Sequence, residues 1–336
     1  MKNSGPIIWS DFDGEDAPEP PSTAARAPVR QLVFGAQQHG QRLDHALVAL
    51  APEFSRNHLQ QLLEVGAFSL NGVVVRKASL RVKAAEVGQI ELLPTAQSQS
   101  FKPERMALDI VYQDAHVLVL NKPAGLVVHP APGNWQGTLL NGLLAFDAQL
   151  ADLPRAGIVH RLDKDTSGLM VVARCLSSMN ALVRAIAKRE VARTYLALAH
   201  RPWQGAAQRL MDAPVGRDPR NRLRMAVVNL SRHAGKEAQT DITWLQNAAL
   251  GCLVRCALRT GRTHQIRVHM AALGHPLVAD TLYGGDCALG LTRQALHATR
   301  LAFAHPSTGA PLAFHAPVPP DLAQALAAWG LRYNDA

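Results

Sequence analysis

From residue 36 onward the chain alternates between helical and strand-like spacing of its apolar positions. In RLDHALVALAP, Leu43, Ala46, Leu47 and Leu50 recur at intervals of three and four, which predicts a helix. SRNHLQQLLEVG predicts a second helix, capped by Ser55 and closed at Gly66. FSLNGVVV then reads as a hairpin turning on Asn71-Gly72, and QIELL as a further strand. Together these predict a small α+β module over 36–93. PTAQSQSFKPERM, 94–106, is polar and proline-bounded and predicts a linker. Strand-like runs dominate 107–330: LDIVYQ, HVLVLNK, GLMVVAR, TYLALA, ITWL and GCLVRCALRT. Helical spacing returns only in LSSMNALVRAIAKR and PPDLAQALAAWGLR. Strands and helices do not alternate as parallel βαβ units would demand. The prediction is therefore an α+β protein whose larger domain has a mainly antiparallel or mixed sheet with flanking helices.

Composition adds a tail and a sign. At 336 residues and 48% hydrophobic, the chain can bury two cores. Residues 1–35 are rich in acid, Pro and Ala and predict a disordered tail. The first 25 residues contribute −4 to a net charge of +9, so the remainder carries +13. A body that basic suits a polyanion. No apolar run reaches the length of a membrane span, and the N-terminus lacks the apolar centre of a signal peptide. Four cysteines without a ladder of spacings, two of them (Cys252 and Cys256) in an apolar run, predict reduced, buried thiols. A soluble cytoplasmic protein is expected, without membrane contact.

Candidate chemistry concentrates in HRLDKDTSGLMVVA, 160–173. Thr166-Ser167-Gly168 predicts a turn and Leu169–Ala173 a buried strand, which leaves Asp163 and Asp165 in a loop ahead of it. Asp165 can accept turn amides; Asp163 has no such local partner. The distant candidate lies in LRTGRTHQIRVHM. If QIRVH is a strand, Gln265, Arg267 and His269 share one face. An arginine reaching Asp163 would hold its carboxylate ionised and aimed, as a nucleophile or base needs. Tyr195, in ARTYLALA, would bring an aromatic ring with a polar tip. RDPRNRLR, with Arg217, Arg220, Arg222 and Arg224, is the densest positive run and a candidate RNA groove. In the first module, Arg56, Arg76 and Lys77 suggest phosphate contacts.

Two resemblances sharpen this. Residues 42–72, with Arg42-Leu43-Asp44, Ser55-Arg56, Gly66 and Asn71-Gly72, resemble the S4 RNA-binding domain, which implies that Arg42, Arg56, Arg76 and Lys77 face RNA. HRLDKDTSGL, ARTYLAL and TGRTHQIRVHM, with NKPAGLVVHPAPGNWQGTLLN and RQALHATRLAFAHPSTG, resemble the RluA/RluD-type pseudouridine synthases, above all the large-subunit rRNA branch that carries an S4 domain. That likeness implies a uridine-to-pseudouridine isomerase acting on structured ribosomal RNA. Asp163 would be the nucleophile, Tyr195 the ring that stacks on uracil and helps remove the C5 proton, and Arg267 the partner of Asp163. Arg161 would fill the gap left by a flipped base, with His160, Arg262 and His264 around the substrate. Attack on C1′ and attack on the ring both remain open. Where the family often has Lys, this chain has Arg193.

Such chemistry needs no cofactor and no metal, and a monomer is expected. The spacing of His264, His269 and His275 fits no common zinc pattern. Asp163 and Asp165 are poorly placed to straddle a glycosidic bond as a hydrolase pair would. The alternatives are a synthase for another rRNA loop or a tRNA, and a non-catalytic S4-bearing assembly factor.

Overall fold

The computed structural model describes residues 29–333, apart from positions 53, 55, 93–100, 132 and 222. These residues fall into two compact units, one within 29–92 and one within 101–333. Ser55, the expected helix cap, and most of the expected tail lie outside the described residues.

The first unit comprises β1 (Val29–Val33), α1 (Leu43–Leu50), α2 (Arg56–Val65), β2 (Phe68–Leu70), β3 (Val73–Val74) and β4 (Val87–Glu91). Its antiparallel sheet has the order β1-β4-β2-β3. Residues 29–33 correct the expected tail: VRQLV alternates, turns Leu32 into the core and pairs along β4. Leu43, Ala46 and Leu47 of α1 meet Leu59 and Leu63 of α2 over Phe34, Phe68 and Ile90. Helix α2 ends where predicted. Gly66 takes φ +83°, its N–H donates to Leu63 O, and Ala67 N–H donates to Leu62 O, which satisfies two terminal carbonyls. Asn71 (φ 50°) and Gly72 (φ 82°) make the tight left-handed pair that the hairpin requires.

Asp44 organises the basic end of this unit. Its side chain is fully buried and accepts from Arg42 (Nε 3.1 Å), Arg56 (Nη2 2.7 Å) and Gln60 (Nε2 2.8 Å). Arg76 donates to Glu64 O at the C-terminus of α2, and Lys77 is exposed. Arg42 and Arg56 therefore spend part of their hydrogen-bonding capacity inside the fold, while each guanidinium stays about half exposed. The Arg42 guanidinium beside Asp44 holds that carboxyl well below its usual range against the opposing effect of burial. A depressed folded pKa contributes stability that is present above the ordinary carboxyl value and lost as pH falls through it. Asp44→Asn is accordingly expected to lower the melting midpoint of this unit by several degrees near about pH 7, and by progressively less below about pH 4, in thermal scans beside wild type.

The second unit opens with β5 (Ile110–Gln113), β6 (Val117–Lys122), α3 (Leu139–Phe146), β7 (Ser167–Ala173), α4 (Leu176–Ala187) and β8 (Ala192–His200). It continues through β9 (Gln208–Asp212), β10 (Val215–Arg217), β11 (Met225–Val227), β12 (Gly235–Lys236), β13 (Gln239–Asn247) and β14 (Gly251–Leu258). Helix α5 (Gln265–Ala272), β15 (Leu296–Ala304), β16 (Pro311–His315) and α6 (Pro320–Ala328) complete it. Nine strands form one mixed sheet, β5-β6-β7-β15-β8-β14-β13-β9, with β16 beside β15. Its one parallel pairing among the described residues is β7 with β15. Strands β10, β11 and β12 form a separate small sheet. Along β8, Tyr195, Ala197 and Ala199 face α3 and α5, while Leu196 and Leu198 face α6. Burial on both faces explains why this strand reads as a nearly continuous apolar run. Cys252 and Cys256 are buried in β14, and burial pushes both thiols up to about 12.

Three expectations for this unit change. QIRVH is the first turn and a half of α5 rather than a strand. Residues 265–270 are buried on every side, so no polar stripe marks the helix, and over so few residues alternate spacing mimics a strand. The turn before β7 falls at Lys164-Asp165, and Ser167-Gly168 already belong to the strand. Gly168 is required there because it takes φ +116° and a Cβ would stand 2.3 Å from Ala298 O. The second half of the predicted linker is fastened to this unit: Glu104 N–H donates to Asn141 O, and Asn141 Nδ2 to Lys102 O. No helix among the described residues is long and apolar enough to cross a membrane.

Candidate active site

The stretch 160–168 is anchored residue by residue, and it turns the carboxylate of Asp163 away from the loop. His160 Nε2 accepts Val171 N–H at 3.1 Å, and Leu162 is buried in the core. Lys122, wholly buried at the end of β6, donates to Pro123 O, Leu126 O and Lys164 O at 2.8–2.9 Å. Burial pushes its ammonium down to about 7, while Asp165 and Asp163 oppose that shift. Arg293, itself held by Asp321, donates to Asp165 O at 3.1 Å. Gln294 donates to Thr166 Oγ1, and Ser167 Oγ pairs with His297 Nδ1 at 2.9 Å. The charged string thus fixes a loop by its carbonyls and hydroxyls, which leaves the Asp163 side chain to look away from it.

That side chain meets Arg267 of α5, with Nη1 3.2 Å from Oδ2 across 104 positions of sequence. Arg267 is buried and doubly held from its other side by Asp280, with Nε to Oδ2 and Nη2 to Oδ1 both at 2.8 Å. Burial opposes its charge, but Asp280 and Asp163 together raise its pKa above the ordinary arginine value. Its guanidinium carbon sits 5.0 Å from the centre of the Tyr283 ring. The α5 entry is equally tied. His264 adopts φ 57°, and Gln265 Oε1 accepts from Thr260 Oγ1 and Arg262 N while its Nε2 donates to Gln239 O and Thr240 Oγ1. Tyr283 OH accepts Met225 N–H at 3.0 Å and pairs with His264 Nδ1 at 2.7 Å. A phenol donating to Nδ1 leaves the imidazole hydrogen on Nε2, which stands 3.9 Å from Asp163 Oδ1. Burial lowers the His264 pKa and keeps the ring neutral.

Asp163 and Arg267 open into a cavity of about 730 Å3 that Tyr195 also lines. Burial pushes the Tyr195 phenol up to about 12, with Asp163 adding to the shift and Arg193 opposing it. The ring is therefore neutral throughout the physiological range. Arg155, Arg161, Arg189, Arg193, Arg259 and Arg262 line the same cavity. Arg161, which is exposed, and Arg262 and His264, which are partly buried, line the cavity. His160 lines the cavity as well, but its Nε2 is committed to β7.

The candidate groove at 217–224 lies elsewhere. None of its described residues lines the cavity; Arg224 is paired with the buried Asp218 at 2.6 Å, Arg217 and Arg220 are exposed, and Arg222 is outside the described residues. Charge density in sequence located a hairpin loop, whereas the cavity's arginines come one at a time from separate loops and strands. Asp280, Lys122 and Tyr283 were not singled out. None stands in a pattern that marks it in sequence, and only the tertiary fold brings it to Arg267 or to the Asp163 loop.

Chemically, the site offers an oriented carboxylate against a permanent cation, a neutral aromatic ring, and an arginine-rich mouth that suits a nucleic acid. Comparison with known proteins agrees. Residues 116–272 match the family model described as RNA pseudouridylate synthase, and residues 41–87 match that of the S4 domain. A relative from Neisseria meningitidis serogroup B, named ribosomal large subunit pseudouridine synthase D, is 47% identical over 297 residues, covering 84% of this chain and 77% of its own. A protein of the same name from Xylella fastidiosa is 47% identical over 312 residues, covering 89% and 92%. Among solved structures, human RNA pseudouridylate synthase domain containing 1 superposes with a TM-score of 0.52 at 26% identity, covering 69% of this chain and 89% of its own. The chain belongs to the RNA pseudouridylate synthase family, with an S4 domain ahead of the synthase body.

Proposed function

We propose that this protein isomerises uridine to pseudouridine in large-subunit ribosomal RNA, acting as a monomer in the cytoplasm. The observation that carries the reading is the Asp163–Arg267 pair at 3.2 Å, in an arginine-lined cavity shared with Tyr195. Asp163 attacks the everted uridine, and the bond between N1 and C1′ breaks. The base turns, C5 bonds to C1′, and the bond that Asp163 formed to the substrate breaks, its electron pair returning to the carboxylate. The C5 proton leaves while N1 gains one from solvent. No atoms are lost and no redox partner is needed. Arg267 aims the carboxylate and stabilises its charge. Tyr195 stacks on the ring. Its hydroxyl relays the C5 proton, passing its own proton to water as it takes the one from C5, only after C5 has bonded to C1′, when that proton is acidic because its loss restores the conjugated ring. The relatives named for large-subunit RNA and the S4 module at residues 41–87 support a ribosomal substrate.

Arg161, exposed at the cavity, fills the stack as the base leaves it. Because one wedge adds little to a complex held by many phosphates, Arg161→Ala should slow single-turnover isomerisation by about 10- to 100-fold and weaken RNA binding only a few-fold. Equal losses in rate and affinity would argue against the wedge. The function itself is tested by mapping carbodiimide-dependent reverse-transcription stops on large-subunit RNA from cells lacking the protein. Stops that vanish on deletion and return with wild type support the reading; an unchanged pattern opposes it.

A further inference from the structure

We infer that Arg193 is the seat for a phosphodiester flanking the everted uridine, an inference that rests on the uridine reading above. Arg193 is only 7% exposed, lines the cavity, and has no hydrogen-bond partner for Nε. Among the described residues no carboxylate lies within ion-pair distance of it, in contrast to Arg267, Arg293 and Arg174, which all have one. A buried guanidinium without a counter-charge is costly, and folds keep such a group where a ligand supplies the missing anion.

The surroundings are built to match. Arg193 and Tyr195 are two residues apart on β8 and share a face, roughly 7 Å apart along the strand. That span is comparable to the distance between a pyrimidine ring and its own backbone phosphate. Gly261 packs against the guanidinium so closely that a Cβ would stand 2.6 Å from Nη1. His160 lines the same cavity and has an unpartnered donor of its own. Its Nε2 accepts Val171 N–H, so the neutral ring carries its hydrogen on Nδ1, a buried nitrogen that also has no partner. Burial, reinforced by Arg193, holds this imidazole down to about 3 and hence neutral. A planar cation suits a phosphate oxygen pair better than it suits the carbonyls of uracil.

The test uses the full-length protein and a synthetic stem-loop RNA containing a uridine mapped as above. The phosphodiester on either side of that uridine is replaced singly by a neutral methylphosphonate, with a 2′-O-methyl group on the preceding sugar in every RNA. Wild type is expected to lose about 10- to 100-fold in single-turnover rate at one of the two positions, as removal of a charge-assisted hydrogen bond implies. Arg193→Gln should be slower by a similar factor on the all-phosphodiester RNA and show no further loss with the methylphosphonate. Arg193→Lys, which keeps the charge without the fork, should retain part of that sensitivity. Additive losses in Arg193→Gln overturn the inference while leaving the isomerase intact. So does a wild-type enzyme indifferent to both methylphosphonates, whether or not the variants fold. A wild type inert on the all-phosphodiester RNA overturns the uridine reading, and this inference with it.

Discussion

Replacing Asp163 with asparagine is expected to lower isomerisation by about 10⁴-fold or more while leaving RNA affinity within a few-fold of wild type. Asparagine has nearly the same volume and can still accept from Arg267 Nη1, so the cavity keeps its shape. What disappears is the anion that attacks, and no neighbour replaces it. Asp165 is anchored in the loop through its carbonyl to Arg293, and Asp280 is occupied twice by Arg267. Affinity should survive because, on the proposed reading, it comes from the arginines of the cavity and the S4 unit, none of which changes. Single-turnover rates and filter binding on the same RNA separate the two quantities. A variant with full turnover would remove Asp163 from the reaction.

The second large effect is at a residue that touches no substrate. Asp280→Asn should destabilise the synthase body by about 3–5 kcal/mol, a drop of roughly 10 °C in melting midpoint, because it leaves the buried Arg267 short of a counter-charge. Arg267 is 8% exposed and Asp280 1%, so solvent cannot compensate. Turnover should fall about 100-fold in the protein that remains folded, since the guanidinium would shift toward Asp163 and misaim it by a fraction of an ångström or more. RNA affinity should not move. An Asp280→Asn protein with the wild-type midpoint and rate would mean that Arg267 is held by Asp163 alone.

The elements legible in sequence were those whose hydrophobic spacing was undiluted. The strands that became β5 to β8, β13 and β14, both helices of the S4 unit, α4, α6 and the Asn71-Gly72 turn all carried their period or their turn residue openly. The segment that became α5 misled because it is buried all round, so neither helical nor strand spacing distinguishes it. Strand β9 is mostly exposed, and it pairs on the sheet edge without any apolar alternation to announce it. Within the site, Asp163, Tyr195 and Arg267 could be named because each breaks an apolar or turn-like context with a reactive group. The partners that hold them could not. Asp280 looks like a turn residue until Arg267 is seen to grip it, and Lys122 like a surface lysine until three carbonyls enclose it. Conversely, RDPRNRLR advertised more charge than it brings to the cavity.

On the proposed reading one everted uridine is rearranged, rather than cleaved, over Asp163. Large-subunit RNA made with uridine tritiated at C5 separates the two outcomes. Wild-type protein should release the target's tritium to water, leave RNA of unchanged chain length, and yield no free base. Tritium retained in the RNA, or recovered in free uracil as a hydrolase would leave it, would rule out the rearrangement.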